Sequence, residues 1–252
     1  LASEETRVSR DFTGQVVLVT GSSSGIGAET ARQFAAAGAE VVINSVSSIE
    51  QGEALAQSIP GAWYLNGDVA APGAGEAMVS AVITRSGRLD VLVNNAGTTQ
   101  VIPHHDLATA SLDVWRRIFE VNVFGTWAMS VAAMDALRER RGSIVNVSSI
   151  AGLRPTGSSI PYASSKAAIN HMTVLLAKVV GPEVRVNAVA PGLIDTPWTE
   201  SWDALRGAVQ AIAPLKRSGT PGDVAEVIVS LAASSYVTGQ VVAIDGGLTL
   251  SS

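Results

Sequence analysis

Val16-Val17-Leu18-Val19-Thr20-Gly21-Ser22-Ser23-Ser24-Gly25-Ile26-Gly27-Ala28-Glu29-Thr30-Ala31-Arg32-Gln33-Phe34-Ala35-Ala36-Ala37 is the stretch whose reading decides the fold. It opens on a mostly β-branched run, passes through a glycine-rich turn, and enters a helical pattern at once. A lone glycine triplet is weak evidence, and the bland reading is an ordinary flexible turn; the strand–turn–helix context is what gives the triplet meaning. Gly21 permits the tight turn off the strand, Gly25 lets backbone approach a pyrophosphate, and Gly27 lets the helix pack on the sheet. The helix start then offers free N–H groups and a positive dipole end to phosphate.

The same alternation continues outward from this stretch. Strands are expected at 16–20, 41–45, 62–66, 91–94, 143–148, 184–190 and 241–245, and helices at 26–37, 49–59, 75–86, 112–140, 160–180 and 222–233. Most strand runs are continuously apolar, which implies burial on both faces. Strands alternating with helices predict βαβ units and an α/β, doubly wound parallel sheet of about seven strands with helices on both faces. No repeat and no linker divides the chain, so one domain is expected over 12–252, after an N-terminal arm at 1–11. The least regular segment, 196–220, holds Pro197, Trp198, Trp202 and Pro214. It reads as a substrate-binding loop or lid, or as a helix at a subunit contact.

Composition narrows the function. The hydrophobic fraction is 47%, charged residues make up 15%, and the net charge is −5, which disfavours nucleic acid as a partner. With no cysteine, disulfides, thiolate nucleophiles and cysteine metal sites are excluded. The N-terminus lacks a signal-peptide stretch, and no run approaches the ~20 apolar residues of a membrane span. A cytoplasmic protein without membrane association is expected.

The candidate chemistry lies in the second half. Tyr162 and Lys166 are four apart in a helical segment, hence on one face. A free tyrosine is a poor base near neutral pH, with a reference pKa of about 10; a neighbouring ammonium is expected to lower it and make the phenol a proton donor and acceptor. An isolated pair at this spacing usually means only a surface contact. Ser148 and Ser149 end the fifth strand, at the carboxyl edge where such sheets bind ligands; either could serve a turn instead.

The three residues between Gly21 and Gly25 are more than the common dinucleotide fingerprint allows. That wider form, followed in order by Asp68-Val69, Asn94-Asn95-Ala96-Gly97, Asn122, Ser149, Tyr162-x-x-x-Lys166 and Pro191-Gly192 with Thr196, resembles the short-chain dehydrogenase/reductase family over about 11–250. The resemblance implies a Rossmann fold and a nicotinamide-dependent oxidoreductase acting on a small-molecule carbonyl or secondary alcohol. Its nearest likeness is to the acyl-carrier ketoreductase and sugar dehydrogenase group. It implies that Ser149, thirteen positions before Tyr162, bonds the substrate oxygen, that Tyr162 gives or takes the proton, that Lys166 holds the cofactor ribose, and that Asn122 serves a proton relay. It implies cofactor contacts at Gly21, Ser23, Ser24, Gly25, Ile26 and Gly27, at Asp68 and Val69 for adenine, at Asn94, Ala96 and Gly97, and at Pro191, Gly192, Ile194 and Thr196. It also implies a homotetramer, through the Tyr162 and Asn122 helices and a second contact at 239–250. Epimerases and dehydratases with the same pair, and a cofactor-sensing regulator without catalysis, are the rival readings.

The second strand ends at Ile43-Asn44-Ser45-Val46. NAD binding usually sets an acid here, and Ser45 holds that position. Basic residues are missing as well. Asn44, Ser45, Ser47 and Ser48 remain, with no carboxylate to repel a phosphate, so the reading favours NADP over NAD. No metal is expected: His104 and His105 are adjacent, with no third histidine nearby, and read as a loop pair that could border the substrate. Trp115 and Trp127 are expected to pack in a long helix, and Trp198 and Trp202 to cover an apolar substrate.

Overall fold

The apolar runs become strands because each has somewhere to put both of its faces. In the computed structural model, which describes residues 11–250, seven strands form one parallel sheet: β1 (Val16–Val19), β2 (Glu40–Ser45), β3 (Ala62–Asn66), β4 (Val91–Asn94), β5 (Ser143–Val147), β6 (Arg185–Pro191) and β7 (Val241–Ile244). Their order is β3-β2-β1-β4-β5-β6-β7. Residues 1–10 of the expected N-terminal arm lie outside the described residues.

Alternation along the central strands explains the unbroken hydrophobicity. Val17, Val19, Val41, Ile43, Val91 and Val93 belong to one core cluster, and Val16, Leu18, Val42 and Leu92 to another. The first core is closed by α1 (Gly25–Ala36), α2 (Ile49–Ser58) and α8 (Pro221–Ala233), through residues such as Phe34, Leu55 and Ile228. Phe34 is fully buried and meets Phe12 edge-on at 4.9 Å; burying such a ring contributes about 1.5–3 kcal/mol. The second core is closed by α3 (Ala74–Ser86), α5 (Thr126–Arg140) and α6 (Ile160–Val180), through Met78, Leu137 and Leu176.

One expectation changes, and one alternative is resolved. The long helix expected over 112–140 is broken into α4 (Leu112–Phe119), a π-helical turn at Glu120–Gly125 and α5. Such turns widen the backbone where a side chain must be redirected, and Asn122 sits inside this one. The irregular segment 196–220 contains a helix, α7 (Asp203–Ile212), after a short 3₁₀ turn at Pro197–Thr199. Trp202, Leu205, Val209 and Ile212 fall at helical spacing there, a signal that the flanking prolines obscured.

Candidate active site

Strand order reverses between β1 and β4, and the cleft opens at their carboxyl ends, where such sheets bind ligands. Thr20 and Asn95 join the two strand ends. The Thr20 hydroxyl accepts from the N–H groups of Asn95 (3.0 Å) and Ala96 (3.1 Å), while Asn95 Nδ2 donates to the carbonyls of Thr20 (2.9 Å) and Gly21 (2.8 Å). Gly21 has φ +61°, and a Cβ on it would lie 2.7 Å from Ala96 Cα, so neither the conformation nor the space admits a side chain. Behind the turn, Asn44 Oδ1 accepts from Gly21 N–H at 3.2 Å, and its Nδ2 donates to the carbonyls of Leu65 (3.1 Å) and Gly67 (3.0 Å). These partners engage the whole Asn44 side chain, so it frames the turn and is not available to a ligand.

The backbone itself indicates whether a dinucleotide fits. A Cβ on Gly27 would come within 2.5 Å of Asn95 Nδ2 and 2.7 Å of Gly21 O, so the helix start is stripped to backbone. The N-cap Ser24 makes no side-chain cap bond, and the first turn of α1 carries no acid. Its N–H groups and dipole are left for a phosphate. The residues present fit the group.

Tyr162 and Lys166 lie in the first turns of α6. Ser159 caps that helix, its hydroxyl accepting from Tyr162 N–H at 3.4 Å, and Pro161 stands in the first turn, where its missing N–H costs nothing. Lys166 Nζ donates to the Val147 carbonyl at 2.9 Å and lies 5.6 Å from the centre of the Tyr162 ring. Burial pulls Lys166 down to about 8. The expected lowering of the phenol is corrected here: burial raises Tyr162, and the opposing influence is a hydrogen bond with Ser149, not the ammonium. Ser149 Oγ accepts from Ala151 N–H at 3.1 Å, which leaves its own proton free to donate. Ser148 is spent elsewhere, donating to the Lys166 carbonyl at 3.1 Å.

Asn122 is fully buried. Its Oδ1 accepts from Thr98 N–H at 2.8 Å; its Nδ2 donates to the Thr98 carbonyl and to Ser165 Oγ, both at 3.0 Å. Ser165 in turn donates to the Tyr162 carbonyl at 2.7 Å. Asn122 Oδ1 and Lys166 Nζ flank Gly97, 3.4 and 3.6 Å from where its Cβ would stand.

A cleft of about 580 Å³ gathers most of the expected positions: Gly21 and Ser23 to Gly27, Ser45, Asp68, Val69, Ala96, Gly97, Ser149, Tyr162, Lys166, Pro191, Gly192, Ile194 and Thr196. Asn94 stands apart from these. It is absent from the cleft wall, and its Nδ2 donates inward to Ser130 Oγ (3.0 Å) and Asn146 Oδ1 (2.9 Å). Asn146 continues to Thr173 of α6 at 2.9 Å, so Asn94 belongs to a buried polar ladder under the active helix. Asp68 also makes a turn bond, its Oδ1 accepting from Ala70 N–H. Trp198 and Trp202 line the cleft with Leu205, Val209 and Leu248. His104 and His105 are exposed and off its wall. Trp127, expected to pack, is 48% exposed. Among the described residues, no three His, Cys, Asp or Glu gather as a metal site, and no helix is long and apolar enough to cross a membrane.

A family model described as enoyl-(acyl carrier protein) reductase matches residues 21–249. A Streptomyces violaceoruber protein, named as a ketoacyl reductase of the granaticin polyketide synthase, is 53% identical over 93% of this chain and 96% of its own. The 3-oxoacyl-[acyl-carrier-protein] reductase of Thermotoga maritima is 42% identical over 94% and 98%. A solved short-chain dehydrogenase/reductase from Brucella melitensis, titled glucose/ribitol dehydrogenase, superposes with a TM-score of 0.89 at 32% identity, covering 94% and 98%. The chain belongs to the short-chain dehydrogenase/reductase family. As a short-chain dehydrogenase/reductase it is an NAD(P)-dependent oxidoreductase acting on a carbonyl or the corresponding alcohol.

Proposed function

We propose that Tyr162 is the proton donor and acceptor of this oxidoreductase, that Ser149 holds the substrate oxygen beside it, and that Lys166 holds the cofactor and sustains the phenol. The observation that carries this reading is that Ser149, Tyr162 and Lys166 line one cleft, with Lys166 Nζ 5.6 Å from the centre of the Tyr162 ring. Bound NAD(P)(H) supplies or removes the hydride. In reduction, Ser149 and Tyr162 polarise the carbonyl oxygen, and Tyr162 then gives it a proton; oxidation of an alcohol is the reverse. A phenol raised by burial suits a donor that must hold its proton until charge develops on that oxygen. Asn122 positions α6 through Ser165 and borders the route by which the proton is resupplied. Tyr162→Phe is expected to cut kcat by about 100- to 10,000-fold while cofactor affinity stays within about threefold. Steady-state turnover at the wild-type level would refute the assignment.

The finer features follow the same reading. Gly21, Ser23–Gly27, Asp68, Val69, Ala96 and Gly97 line the dinucleotide, and Ile194 and Thr196 the nicotinamide. The absence of a carboxylate at Ser45–Ser48 among the cleft-lining residues supports NADP. With Asn44 engaged as above, and Ser45 Oγ donating to Ser48 O and paired with Tyr64, Ser47 and Ser48 are the hydroxyls left for the 2′-phosphate. The ratio of kcat/KM with NADPH to that with NADH tests this, and a ratio below one would overturn it. Asp68 and Lys166 are the charged side chains that line the cleft, and both are given to the cofactor side. The substrate is therefore read as a neutral, largely apolar ketone, in keeping with the polyketide name of the Streptomyces relative, with residues 196–220 as its lid. Exposed Phe124, Trp127 and Val131 near Asn122, and Leu175 and Val179 on α6, support a homotetramer, which light scattering checks.

A further inference from the structure

Helix α7 carries Leu205 and Val209 into the substrate half of the cleft, and Trp202 is its N-cap. Little burial fixes it there. Its one buried residue is Val209, in a satellite cluster with Leu193 and Ala213, apart from both main cores. Arg206 supplies what packing does not. Its side chain is 21% exposed. Nε donates to Asp195 Oδ1 at 2.8 Å, one terminal nitrogen to Asp203 Oδ1 at 2.6 Å, and the other to the Thr199 carbonyl at 2.7 Å. Both terminal nitrogens also reach the Glu200 carbonyl at 3.4 Å.

Three of these partners, Asp195, Thr199 and Glu200, belong to the loop that leads from β6. Asp195 lies between Ile194 and Thr196. Thr199 Oγ1 donates to the Ile194 carbonyl at 2.6 Å and accepts from Thr196 N–H at 3.2 Å. A simple exposed ion pair contributes about 0–1 kcal/mol. The planar guanidinium here binds carboxylates and backbone of both the loop and the start of α7, which a point charge cannot do.

We propose that Arg206 is a positioning residue that fastens the substrate lid to the nicotinamide loop, so that cofactor binding and ordering of α7 are a single coupled event. This rests on the reading that Ile194 and Thr196 meet the nicotinamide. Linkage then requires that weakening the fastening also weakens the cofactor. A structural ion pair with no such role would leave the response of α7 to cofactor unchanged.

The test is hydrogen–deuterium exchange of the full chain with and without NADPH and NADH, read separately for peptides over 21–27 and 203–212. In the wild type, the preferred cofactor should slow exchange in both. In Arg206→Gln it should still protect 21–27, while α7 in the cofactor-bound protein exchanges at least about fivefold faster than in the wild type and cofactor Kd rises about fivefold. Asp195→Asn, which leaves α7 untouched, should reproduce part of this effect, and the double variant should add little to Arg206→Gln. Should Arg206→Gln fail to fold, Asp195→Asn carries the test. Wild-type protection of α7 in the variants would overturn the proposal, as would a wild-type α7 that does not respond while 21–27 does. If neither cofactor protects either peptide, it is the cofactor reading beneath the proposal that falls.

Discussion

Replacing Asn44 tests how far the phosphate turn depends on one buried amide. Asn44 is 1% exposed, and its three hydrogen bonds join the end of β2 to Gly21 and to the chain leaving β3. Alanine would leave the Leu65 and Gly67 carbonyls without that donor, at about 1–3 kcal/mol each, moderated by any water that fills the gap. A loss of about 2–4 kcal/mol follows, or a fall in Tm of about 5–15 °C for a chain of this size. Aspartate matches the shape better but does worse. It keeps the acceptor for Gly21, yet sets a second oxygen where Nδ2 now lies, against two carbonyl oxygens. The like-charged contact adds about 1–3 kcal/mol. Asn44→Asp should therefore be less stable than Asn44→Ala at pH 8, measured by thermal denaturation at fixed protein concentration, and should bind NADPH at least tenfold more weakly than the wild type. The sign of the pH dependence follows. The folded pKa of the new carboxyl is raised above its unfolded value of about 3.9. The deficit therefore grows as pH rises from about 4 toward the folded pKa, and moving from pH 8 to pH 5 should recover part of it. An Asn44→Asp protein as stable as Asn44→Ala or more so, with no recovery in acid, would refute the reasoning.

Other perturbations separate stability from chemistry. Burial pulls Lys166 down to about 8 from the ordinary lysine value of 10.5, so the unfolded chain holds more protons between those values and wild-type stability should rise across that window. Lys166→Met should abolish that rise, be more stable than the wild type at pH 7, and lose turnover; parallel denaturation curves from pH 7 to 10 check this. Gly27→Ala should leave a folded protein that binds NADPH at least 100-fold more weakly in calorimetry, because its Cβ collides with Asn95 and Gly21. Asp223 accepts from Thr220 N–H and Oγ1 and from both Arg217 terminal nitrogens, and Arg217 holds its carboxyl well below the usual range. Asp223→Ala should cost about 1–2 kcal/mol in denaturation as the cap of α8 is lost and leave kcat/KM unchanged; this contribution is present above about pH 4 and fades only in stronger acid.

Much of the molecule could be read before any tertiary contact was known. Seven apolar runs alternating with helical patterns predict the parallel sheet, because strand and helix periodicity are local and an unbroken run such as Val16–Val19 is intelligible only with helices on both faces. The spacing of Gly21, Gly25 and Gly27 after that strand, and of Tyr162 and Lys166 on one helix face, points to a nucleotide turn and a proton-transferring pair for the same local reason. Other features depend on packing. Asn94 sits within a correctly placed motif, yet its amide turns inward because Ser130 and Asn146, distant in the chain, offer buried partners. Asn44 looked like a ligand for phosphate and is consumed by Gly21, Leu65 and Gly67, which no spacing rule brings together. The direction of the Tyr162 shift depends on how much water the surrounding elements exclude, a sum over neighbours that one helix face does not contain. Likewise the tie from Arg206 to Asp195 and Thr199 exists only once α7 folds back over the cleft. Sequence periodicity determined which elements form and which chemistry they carry; tertiary packing decided which polar groups remain free to use it, because a hydrogen-bonding group buried against one partner is no longer available to another.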